Sequence, residues 1–444
     1  GAHASLGGAA APERLWWALV ECLAVATRTD ARLAVRTASL KALSEVFAAE
    51  LRPGGALRGD FGVRVYRELA LKMLEEVPAE DGELTPAQLV WVHDSGLGVL
   101  AFLERSFCSA YHTLAPLLDE LMALLVRCLH QRQHGGLAHV AAESLLHLVR
   151  ETGANFSQET WASVCSELKS CFEGEGDAEA SSSMPAPDEV DGAAEGLLLE
   201  VSRKVESEAP EGSGPHELQV LLLSTVFQLL RSMYPSMKLA DVEGLLNCMH
   251  SMYEKAHRVL QDALSDERPE GEPAEGEQTE ADVAEASHLK LESMSFYLQV
   301  LFDLYAKLLP GATPPAKGEP PPPLGSEAHT LLLAAAAEFR LVSFCLHVLR
   351  DFLRLSELAH GQPAASVVGK RTSGMQRDLT PIVVMLLQGI LSFHEGQFTR
   401  HLPAFYPLFV DLMHCESKQI RSVLRELFAQ RVGLILQQQQ HAEL

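Results

Sequence analysis

Residues 364–372 come closest in this sequence to a phosphate-binding loop. Such a loop has Gly at both ends and follows its Lys with Ser or Thr, so that backbone N–H groups and the Lys surround phosphates. Gly369 and Lys370 fit this pattern, but Ala364 replaces the first Gly and Arg371 replaces the hydroxyl residue. The stretch also has a low-complexity composition and no strand before it, so we expect no nucleotide site.

Three nearby histidines, His130, His134 and His139, suggest a metal site. His130 and His134 have the i, i+4 spacing that zinc ligands use on a helix. No Cys or carboxylate completes a ligand set, however, and Gly135-Gly136 is expected to end the helix. We therefore interpret these residues as a solvated helix end and predict neither a metal nor another cofactor.

The contiguous residues His93, Asp94 and Ser95 are the residue types of a hydrolase triad. Triad groups converge from separate parts of a fold, whereas neighbouring side chains point in different directions. No G-x-S-x-G elbow occurs either. We expect Asp94 or Ser95 to cap a helix, and we predict no catalytic residue and no enzymatic activity. An enzyme on a helical scaffold remains an alternative, but it would need a convergent polar pocket that the sequence does not indicate.

Most of the chain has the periodicity of amphipathic helices. Residues 220–233, 296–309 and 339–353 carry apolar side chains at spacings of three to four. Alternating apolar and polar runs bounded by turn residues are nearly absent. The pattern predicts an all-α fold.

Four segments lack the apolar residues that a packed core requires and are predicted to be disordered. The predicted organisation is residues 1–172, HEAT-like helical repeats; 173–215, acidic linker; 216–264, helical hairpin; 265–286, Glu/Pro-rich insertion; 287–310, helix; 311–326, Pro-rich loop; 327–360, helices; 361–376, basic loop; and 377–436, terminal HEAT-like hairpins.

Charge and cysteine usage exclude several classes of protein. The net charge is −23, and most of it lies in the acidic tracts 173–211 and 262–285. A nucleic-acid partner would require a basic face, which is missing. The eight cysteines show no CxxC pair, which indicates a reducing compartment. No apolar run approaches the length of a membrane span. The first residues have no basic region of a signal peptide and no initiator Met, so we expect a piece of a longer protein.

One helix signature recurs along the chain. From Asp30, which we expect to be an N-cap, the sequence reads D-A-R-L-A-V-R-T-A-S-L-K-A-L, with Val35 beginning a buried stripe and Arg36 beside it. Ser417, a second expected cap, begins S-K-Q-I-R-S-V-L-R-E-L-F, and residues 137–149 form a degenerate copy. This is the second-helix pattern of HEAT repeats, in which each hairpin buries one face on its neighbour. We predict a HEAT/armadillo-type α-solenoid of stacked helical hairpins.

Several segments together resemble the region downstream of the catalytic Sec-seven domain in the large brefeldin-inhibited (BIG/Sec-seven) Arf guanine-nucleotide exchange factors. The first is the helix with Val35 and Arg36. The second is H-L-V-R-E-T-G-A-N-F-S-Q-E-T-W from His147, with Gly153, Phe156 and Trp161. Late segments are R-L-V-S-F-C from Arg340 and L-T-P-I-V-V-M-L-L-Q-G-I-L from Leu379. F-Y-P-L-F-V-D-L-M (Phe405, Tyr406, Pro407) and the helix with Ile420, Arg421 and Leu424 are similar to the terminal hairpin.

This resemblance implies a non-catalytic regulatory or scaffold region that acts in vesicle-mediated transport at trans-Golgi or endosomal membranes. The family's exchange loop, F-R-x-P-G-E, is not found here. The implied partners are small GTPases of the Arf/Rab type, the protein's own upstream exchange domain and a second copy in a homodimer, with peripheral membrane association at most. The motif residues are expected to be structural. We interpret the aromatic patch at residues 405–407, placed at a helix start, as a packed joint rather than a partner anchor.

Two alternatives stay open. A generic HEAT-repeat adaptor unrelated to Arf would share the same repeat pattern, but would not require the G-x-x-F-x-x-x-x-W joint formed by Gly153, Phe156 and Trp161. A family member that naturally lacks the exchange domain would retain the joint.

Overall fold

The computed structural model describes residues 11–52, 54–57, 59–75, 85–129, 131, 134–172, 215–265, 280–307, 322–361 and 367–435. All regular structure in these ranges is helical and none is β-strand, which confirms the all-α prediction. The chain divides into two compact units. Unit 1 comprises Gly1–Glu179 and Asp188–Met233, and unit 2 comprises Ala180–Pro187 and Tyr234–Leu444.

Unit 1 contains ten of the α-helices in the described ranges, several extended by short 3-10 or π-helical turns. They are α1 (Ala11–Thr29), α2 (Leu33–Glu50), α3 (Gly59–Val65), α4 (Pro86–Trp91), α5 (Leu97–Ser109), α6 (Tyr111–Leu114), α7 (Leu118–Leu129), α8 (Gly135–Thr152), α9 (Gln158–Ser170) and α10 (Pro215–Met233). A π-helical turn, Val92–Gly96, joins α4 to α5 without a break. Helices α1 and α2 pack on each other, as do α5 and α8, α7 and α8, and α8 and α10.

Unit 2 contains longer helices. They are α11 (Leu239–Ser265), α12 (Glu280–Tyr305), α13 (Glu327–Gly361), α14 (Val367–Leu391), α15 (Glu395–Leu412) and α16 (Lys418–Leu427). Each of the first three packs on the next one in sequence, α15 packs against α13, and α16 packs against α14. Burial of apolar stripes on these neighbours is the main force that holds such helices together.

Each unit has its own aromatic core. In unit 1, Phe47 of α2 meets Phe102 of α5 edge-on, with ring centroids 5.2 Å apart. In unit 2, Phe344 of α13 is perpendicular to Tyr297 of α12, at a centroid distance of 4.9 Å. Edge-to-face aromatic pairs add about 0.5–1.5 kcal/mol to the burial of their area.

Two predicted loops are shorter than expected. Helix α12 begins at Glu280, so residues 280–286 are helical rather than part of an insertion. Helix α14 begins at Val367, so most of the predicted basic loop is helical, including residues 367–372 of the stretch that resembles a phosphate loop. Thr372 is fully buried in this helix, which extends the apolar stripe of Leu379 and Val383 toward the N-terminus. The acidic linker up to residue 214, residues 266–279 and residues 308–321 lie outside the described residues.

Several predicted helix ends are wrong. Arg32, not Asp30, occupies the N-cap position of α2, because the Asp30 carboxylate instead binds the Arg32 guanidinium at 2.9 Å. Asp94 and Ser95 do not cap a helix, since Thr85 caps α4 with a capping box and the helix continues past them. By contrast, Ser417 caps α16 as predicted, its Oγ accepting from the Ile420 N–H.

The region of Gly135-Gly136 was also predicted incorrectly. These glycines begin α8 rather than end a helix, and Nδ1 of His134 accepts a hydrogen bond from the Leu137 N–H as the N-cap. His134 is therefore a helix cap, while His130 lies outside the described residues. His139 is paired with Glu143 one turn further along α8, at 3.4 Å.

The expectation that no apolar stretch approaches the length of a membrane span was wrong for helix α13. Within the described ranges it is the one helix that is long and apolar enough to cross a membrane by length and composition. A core helix can satisfy the same criteria, and α13 packs against both α12 and α14. It also carries the buried Asp351, whose charge is paired inside unit 2.

Candidate functional site: an aromatic and histidine-lined cleft

Unit 2 contains a cleft of about 500 Å³ between α11, α12 and α13. Its residues recur at helical spacing, because one face of α11 and one face of α13 line opposite walls. The lining residues are His250, Tyr253, Glu254, His257, Arg258, Tyr297, Phe339, Arg340, Ser343, Phe344 and His347.

Aromatic rings form the floor of the cleft. Phe344 meets Tyr253 edge-on at 5.0 Å, and the His250 ring lies 5.5 Å from Tyr297. The Tyr253 ring also stacks on His257, with centroids 5.3 Å apart and planes 17° apart. These contacts fix the ring positions, so the floor is a rigid and largely apolar surface.

A buried ion pair lies below the histidines. The Lys290 Nζ of α12 is 2.7 Å from the Asp351 Oδ2 of α13, and both side chains are almost fully buried. Arg354 reaches the other oxygen of Asp351 at 3.0 Å. Burial acts to raise the pKa of Asp351, but the Lys290 charge and hydrogen bond outweigh it, so this pKa is lowered. The carboxylate is thus ionised and already neutralised by two cations.

The three cleft histidines are held in the neutral form. Burial lowers the pKa of His250 and of His347. Burial and the nearby Lys290 charge lower the pKa of His257 to about 4. Its Nδ1 is buried without a hydrogen-bond partner, 3.9 Å from the Asp351 Oδ2. The Tyr253 hydroxyl lies 2.6 Å from Nε2 of His347 and donates to it when that ring is neutral.

The rim of the cleft combines an exposed aromatic ring with charge. Phe339 is 79% exposed, which is unusual for so large an apolar side chain. Beside it, Arg340 donates to the Asn247 Oδ1 at 2.7 Å and is thereby oriented. Exposed aromatic and Arg side chains around a rigid pocket are typical of protein-binding hot spots. The arrangement therefore suits recognition of a partner's side chains.

The predicted structural motif residues lie in three places, and those in unit 2 do not line the cleft, although the similar segment that begins at Arg340 does. In unit 1, Val35 is half-buried and Arg36 is buried. Arg36 is not beside the stripe but inside the packing, where its Nη2 is 2.7 Å from the Asp94 Oδ2. This ion pair explains why Asp94 caps no helix.

The residues of the G-x-x-F-x-x-x-x-W joint come together in unit 1. The rings of Phe156 and Trp161 are 5.1 Å apart, and Trp161 is fully buried. A Cβ on Gly153 would lie 3.1 Å from the Trp161 ring and 2.7 Å from Cε of Met233 in α10. Gly153 thus allows the close approach of α8 to its neighbours.

The remaining motif residues are on α15 and α16. Phe405 is buried and stacks on Phe409, whereas Tyr406 and Pro407 are exposed. The patch lies inside α15 and not at its start, because a capping box formed by His394 and Gln397 begins the helix earlier. On α16, Ile420 and Leu424 are buried, and Arg421 donates to the Cys415 carbonyl at 3.1 Å.

Comparison with known proteins finds one family model and several relatives that match this chain. Residues 217–429 match the family model described as the BIG2 C-terminal domain. The chain resembles the C-terminal region of BIG-type exchange proteins. It is 22% identical over 433 residues to "Brefeldin A-inhibited guanine nucleotide-exchange protein 3" of Arabidopsis thaliana, covering 92% of this chain and 23% of that protein.

Two further relatives agree. "Brefeldin A-inhibited guanine nucleotide-exchange protein 2" of Arabidopsis thaliana is 22% identical to this chain, and the match covers 78% of this chain and 20% of the relative. "Brefeldin A-inhibited guanine nucleotide-exchange protein 1" of the same plant is 21% identical, and the match covers 92% of this chain and 24% of the relative. The chain therefore spans about a quarter or less of the length of these relatives. No solved structure matches the chain. The cleft lies within the residues that match the BIG2 C-terminal domain.

The cleft residues were missed at the level of sequence. The signal that could have found them is the spacing of His250, Tyr253 and His257 on one face of a predicted helix. That spacing alone does not distinguish a cleft from a core, because aromatic stripes at helical spacing usually pack inside. The position of α13 opposite α11 leaves His250 and His257 partly exposed, whereas Tyr253 is buried.

Proposed function

We propose that this chain is a non-catalytic regulatory and scaffold region of an Arf guanine-nucleotide exchange factor. It acts by binding other proteins during vesicle-mediated transport, at the cytoplasmic face of trans-Golgi or endosomal membranes. The observation that carries the proposal is the similarity to a brefeldin A-inhibited exchange protein across 92% of the chain, together with the BIG2 C-terminal domain match.

The proposed architecture within each unit is of the HEAT type. The observation in its favour is that helices consecutive in sequence pack on each other, as α1 does on α2 in unit 1 and α11 through α14 do in unit 2. Repeats of this kind cannot bury their apolar faces alone and do so on their neighbours. Such a scaffold presents broad surfaces for partners and needs no cofactor.

We assign the partner-binding surface to the cleft rim around Phe339 and Arg340. Phe339 is exposed, the floor beneath it is rigid, and Arg340 is oriented by Asn247. The proposed partner is the GTP-bound form of a small GTPase of the Arf/Rab type. The exchange domain of the same protein and a second copy of this chain are further partners consistent with the resemblance.

The direct test is sedimentation of the purified chain with liposomes that carry lipid-anchored Arf. The same liposomes are loaded with Arf in its GTP form, its GDP form or no Arf, at low and at high salt. We expect recruitment that depends on GTP and persists at high salt, because exposed charge attraction to anionic lipid is screened as salt increases.

Recruitment equal in the two nucleotide states would refute binding to the activated GTPase. If that recruitment disappeared at high salt and needed no Arf, the chain would be binding lipid charge alone. Absence of recruitment in every case would also refute the proposal for the GTPase and would favour an internal scaffold contact with the exchange domain.

A further inference from the structure

A second polar cluster lies in unit 1, and one of its members, His147, begins the segment that contains the G-x-x-F-x-x-x-x-W joint. It consists of Glu104 and Cys108, one turn apart on α5, and His147 on α8. Their potential ligand atoms all lie within 4.8 Å of one another. Glu104 is only 3% exposed, whereas Cys108 and His147 are partly buried.

Both neighbours direct a proton at the same carboxylate oxygen. The Cys108 thiol donates to Oε1 of Glu104 at 2.9 Å, and Nδ1 of His147 lies 2.6 Å from that oxygen. Their sequence neighbours Leu103, Phe107 and Leu148 are fully buried in the core of unit 1. A buried carboxylate needs a compensating positive charge, because desolvation of an ion costs several kcal/mol.

We propose that Glu104, Cys108 and His147 form a zinc-binding site that joins α5 to α8. The donor set of one carboxylate oxygen, one sulfur and one imidazole nitrogen is the mixed set that Zn²⁺ prefers, whereas Mg²⁺ and Ca²⁺ prefer oxygen alone. A tetrahedral Zn²⁺ with bonds of about 2.0–2.3 Å separates its ligand atoms by about 3.3–3.8 Å. The observed contacts of 2.6 and 2.9 Å would therefore open by about 1 Å or less.

Metal binding at this site would replace protons. Cys108 must lose its thiol proton to solvent and His147 must present a neutral Nδ1, while Glu104 is already an acceptor. Burial and the Glu104 charge raise the pKa of Cys108. The hydrogen bond to Glu104 raises the pKa of His147.

Two other charges face the cluster, and one buried hydroxyl is close. Glu151, one turn beyond His147 on α8, raises the pKa of both Cys108 and His147, and we expect it to supply a fourth ligand or to hold a bound water. Arg105 acts in the opposite direction on His147. The Tyr66 hydroxyl donates to the Leu103 carbonyl, so it is occupied and is not expected to ligate.

The test measures zinc in the reduced, chelator-treated full chain after dialysis against Zn²⁺, with Co²⁺ as a spectroscopic probe. We expect one metal per chain and a thiolate-to-cobalt charge-transfer band. Cys108→Ser and His147→Gln should each lower the affinity at least about tenfold, the lower end of what even outer-shell changes cause. Matched controls are Cys22→Ser, an exposed cysteine, and His139→Gln on the same helix as His147; both should bind normally.

Zinc binding no stronger in the parent chain than in Cys108→Ser would overturn the proposal, as would a cobalt spectrum without a thiolate band. Far-UV circular dichroism verifies that each variant is folded. Alkylation of the unmutated chain provides an independent measurement if a variant unfolds. Zinc should slow the labelling of Cys108, followed by peptide mass spectrometry, and leave the labelling of Cys22 unchanged. Equal labelling rates with and without zinc would also overturn it.

Discussion

Each of the two units places a histidine near a buried carboxylate, yet the pKa values of the two histidines are shifted in opposite directions. In unit 1, the hydrogen bond that His147 makes to the Glu104 carboxylate raises the pKa of His147. In unit 2, burial and the Lys290 charge lower the pKa of His257, although Asp351 is 3.9 Å away. The difference is that Asp351 is already paired with Lys290 at 2.7 Å. A carboxylate that has a cation no longer stabilises a protonated histidine against burial.

The comparison also separates two kinds of site. The unit 1 cluster has two donors converging on one buried carboxylate oxygen, which suits a small cation. The unit 2 cluster is covered by neutral rings and opens into a cleft, which suits contact with another protein.

The four tryptophans, Trp16, Trp17, Trp91 and Trp161, are all in unit 1. Tryptophan fluorescence therefore follows unit 1, whereas far-UV circular dichroism follows both units.

The largest effect is expected from Asp351→Asn, which leaves Lys290 buried without its counter-ion. Loss of one partner of a buried ion pair costs about 3–5 kcal/mol. The measurement is urea unfolding followed by circular dichroism. Asp411→Asn, at an exposed position on α15, is the matched control and should change the free energy of unfolding little.

The double variant Lys290→Met with Asp351→Leu distinguishes a lost charge pair from general disruption. Because it removes both charges, it should recover much of the stability lost in Asp351→Asn. Equal destabilisation of the single and double variants would contradict the role given to this ion pair.

A smaller effect, and one that depends on pH, is expected from His257→Gln. The folded-state pKa of about 4 lies below the ordinary value of 6.5, so the unfolded chain binds more protons in that range. Stability from neutral His257 is present above pH 6.5 and is lost as the pH falls toward 4. Between pH 7.5 and 5, the original chain should lose about 2 kcal/mol more than His257→Gln. Identical pH profiles by circular dichroism would contradict the buried neutral histidine.

The same titration in unit 1 should have the opposite sign. His147 has a raised pKa, so its stabilising pairing with Glu104 is present below the ordinary pKa and is lost as the pH rises through the raised value. In the presence of a chelator, His147→Gln should lower the tryptophan-detected stability at pH 5.5 more than at pH 8.5. An equal loss at both values would break the contrast between the two units.

The last expected effects, equal to or smaller than that of His257→Gln, come from two glycines that each lie close to a neighbouring side chain. A Cβ on Gly389 in α14 would overlap the Phe302 ring, while one on Gly153 would lie 2.7 Å from the flexible end of Met233 and 3.1 Å from the Trp161 ring. Gly389→Ala should therefore destabilise unit 2 by about 2 kcal/mol through overpacking. Gly153→Ala should destabilise unit 1 by about 1 kcal/mol or less, because a methionine end can move. Urea titrations monitored by circular dichroism and by tryptophan fluorescence compare them, and a larger loss for Gly153→Ala would contradict this account.

Much of the local structure could be predicted from the sequence. Apolar spacing gave the helices, and the cap at Ser417 was identified from residue type alone. Asp30 failed as a predicted cap because Arg32, two residues away, binds its carboxylate. Such competition between two local partners depends on side-chain geometry that spacing does not reveal.

The sites were harder to predict, since both depend on residues distant in sequence. Glu104 and His147 are brought together only when α5 packs on α8, and Lys290 meets Asp351 only when α12 packs on α13. The sequence around a helical histidine gives no indication of whether its pKa is raised or lowered. Its proton affinity follows from whether a facing carboxylate already has a cation, which is a property of packing.

The most direct measurement of the central claim is the affinity for GTP-loaded Arf of two double variants of the chain. The cleft variant carries Phe339→Ala and Arg340→Ala, and the matched control carries Leu358→Ala and Arg350→Ala. Both pairs lie on α13, and Leu358 and Arg350 are exposed outside the cleft. Loss of a hot-spot pair costs about 2 kcal/mol or more, so we predict at least a tenfold weaker interaction for the cleft variant and an unchanged one for the control. Equal affinities of the two variants for GTP-loaded Arf would contradict the assignment of this cleft as the partner-binding surface.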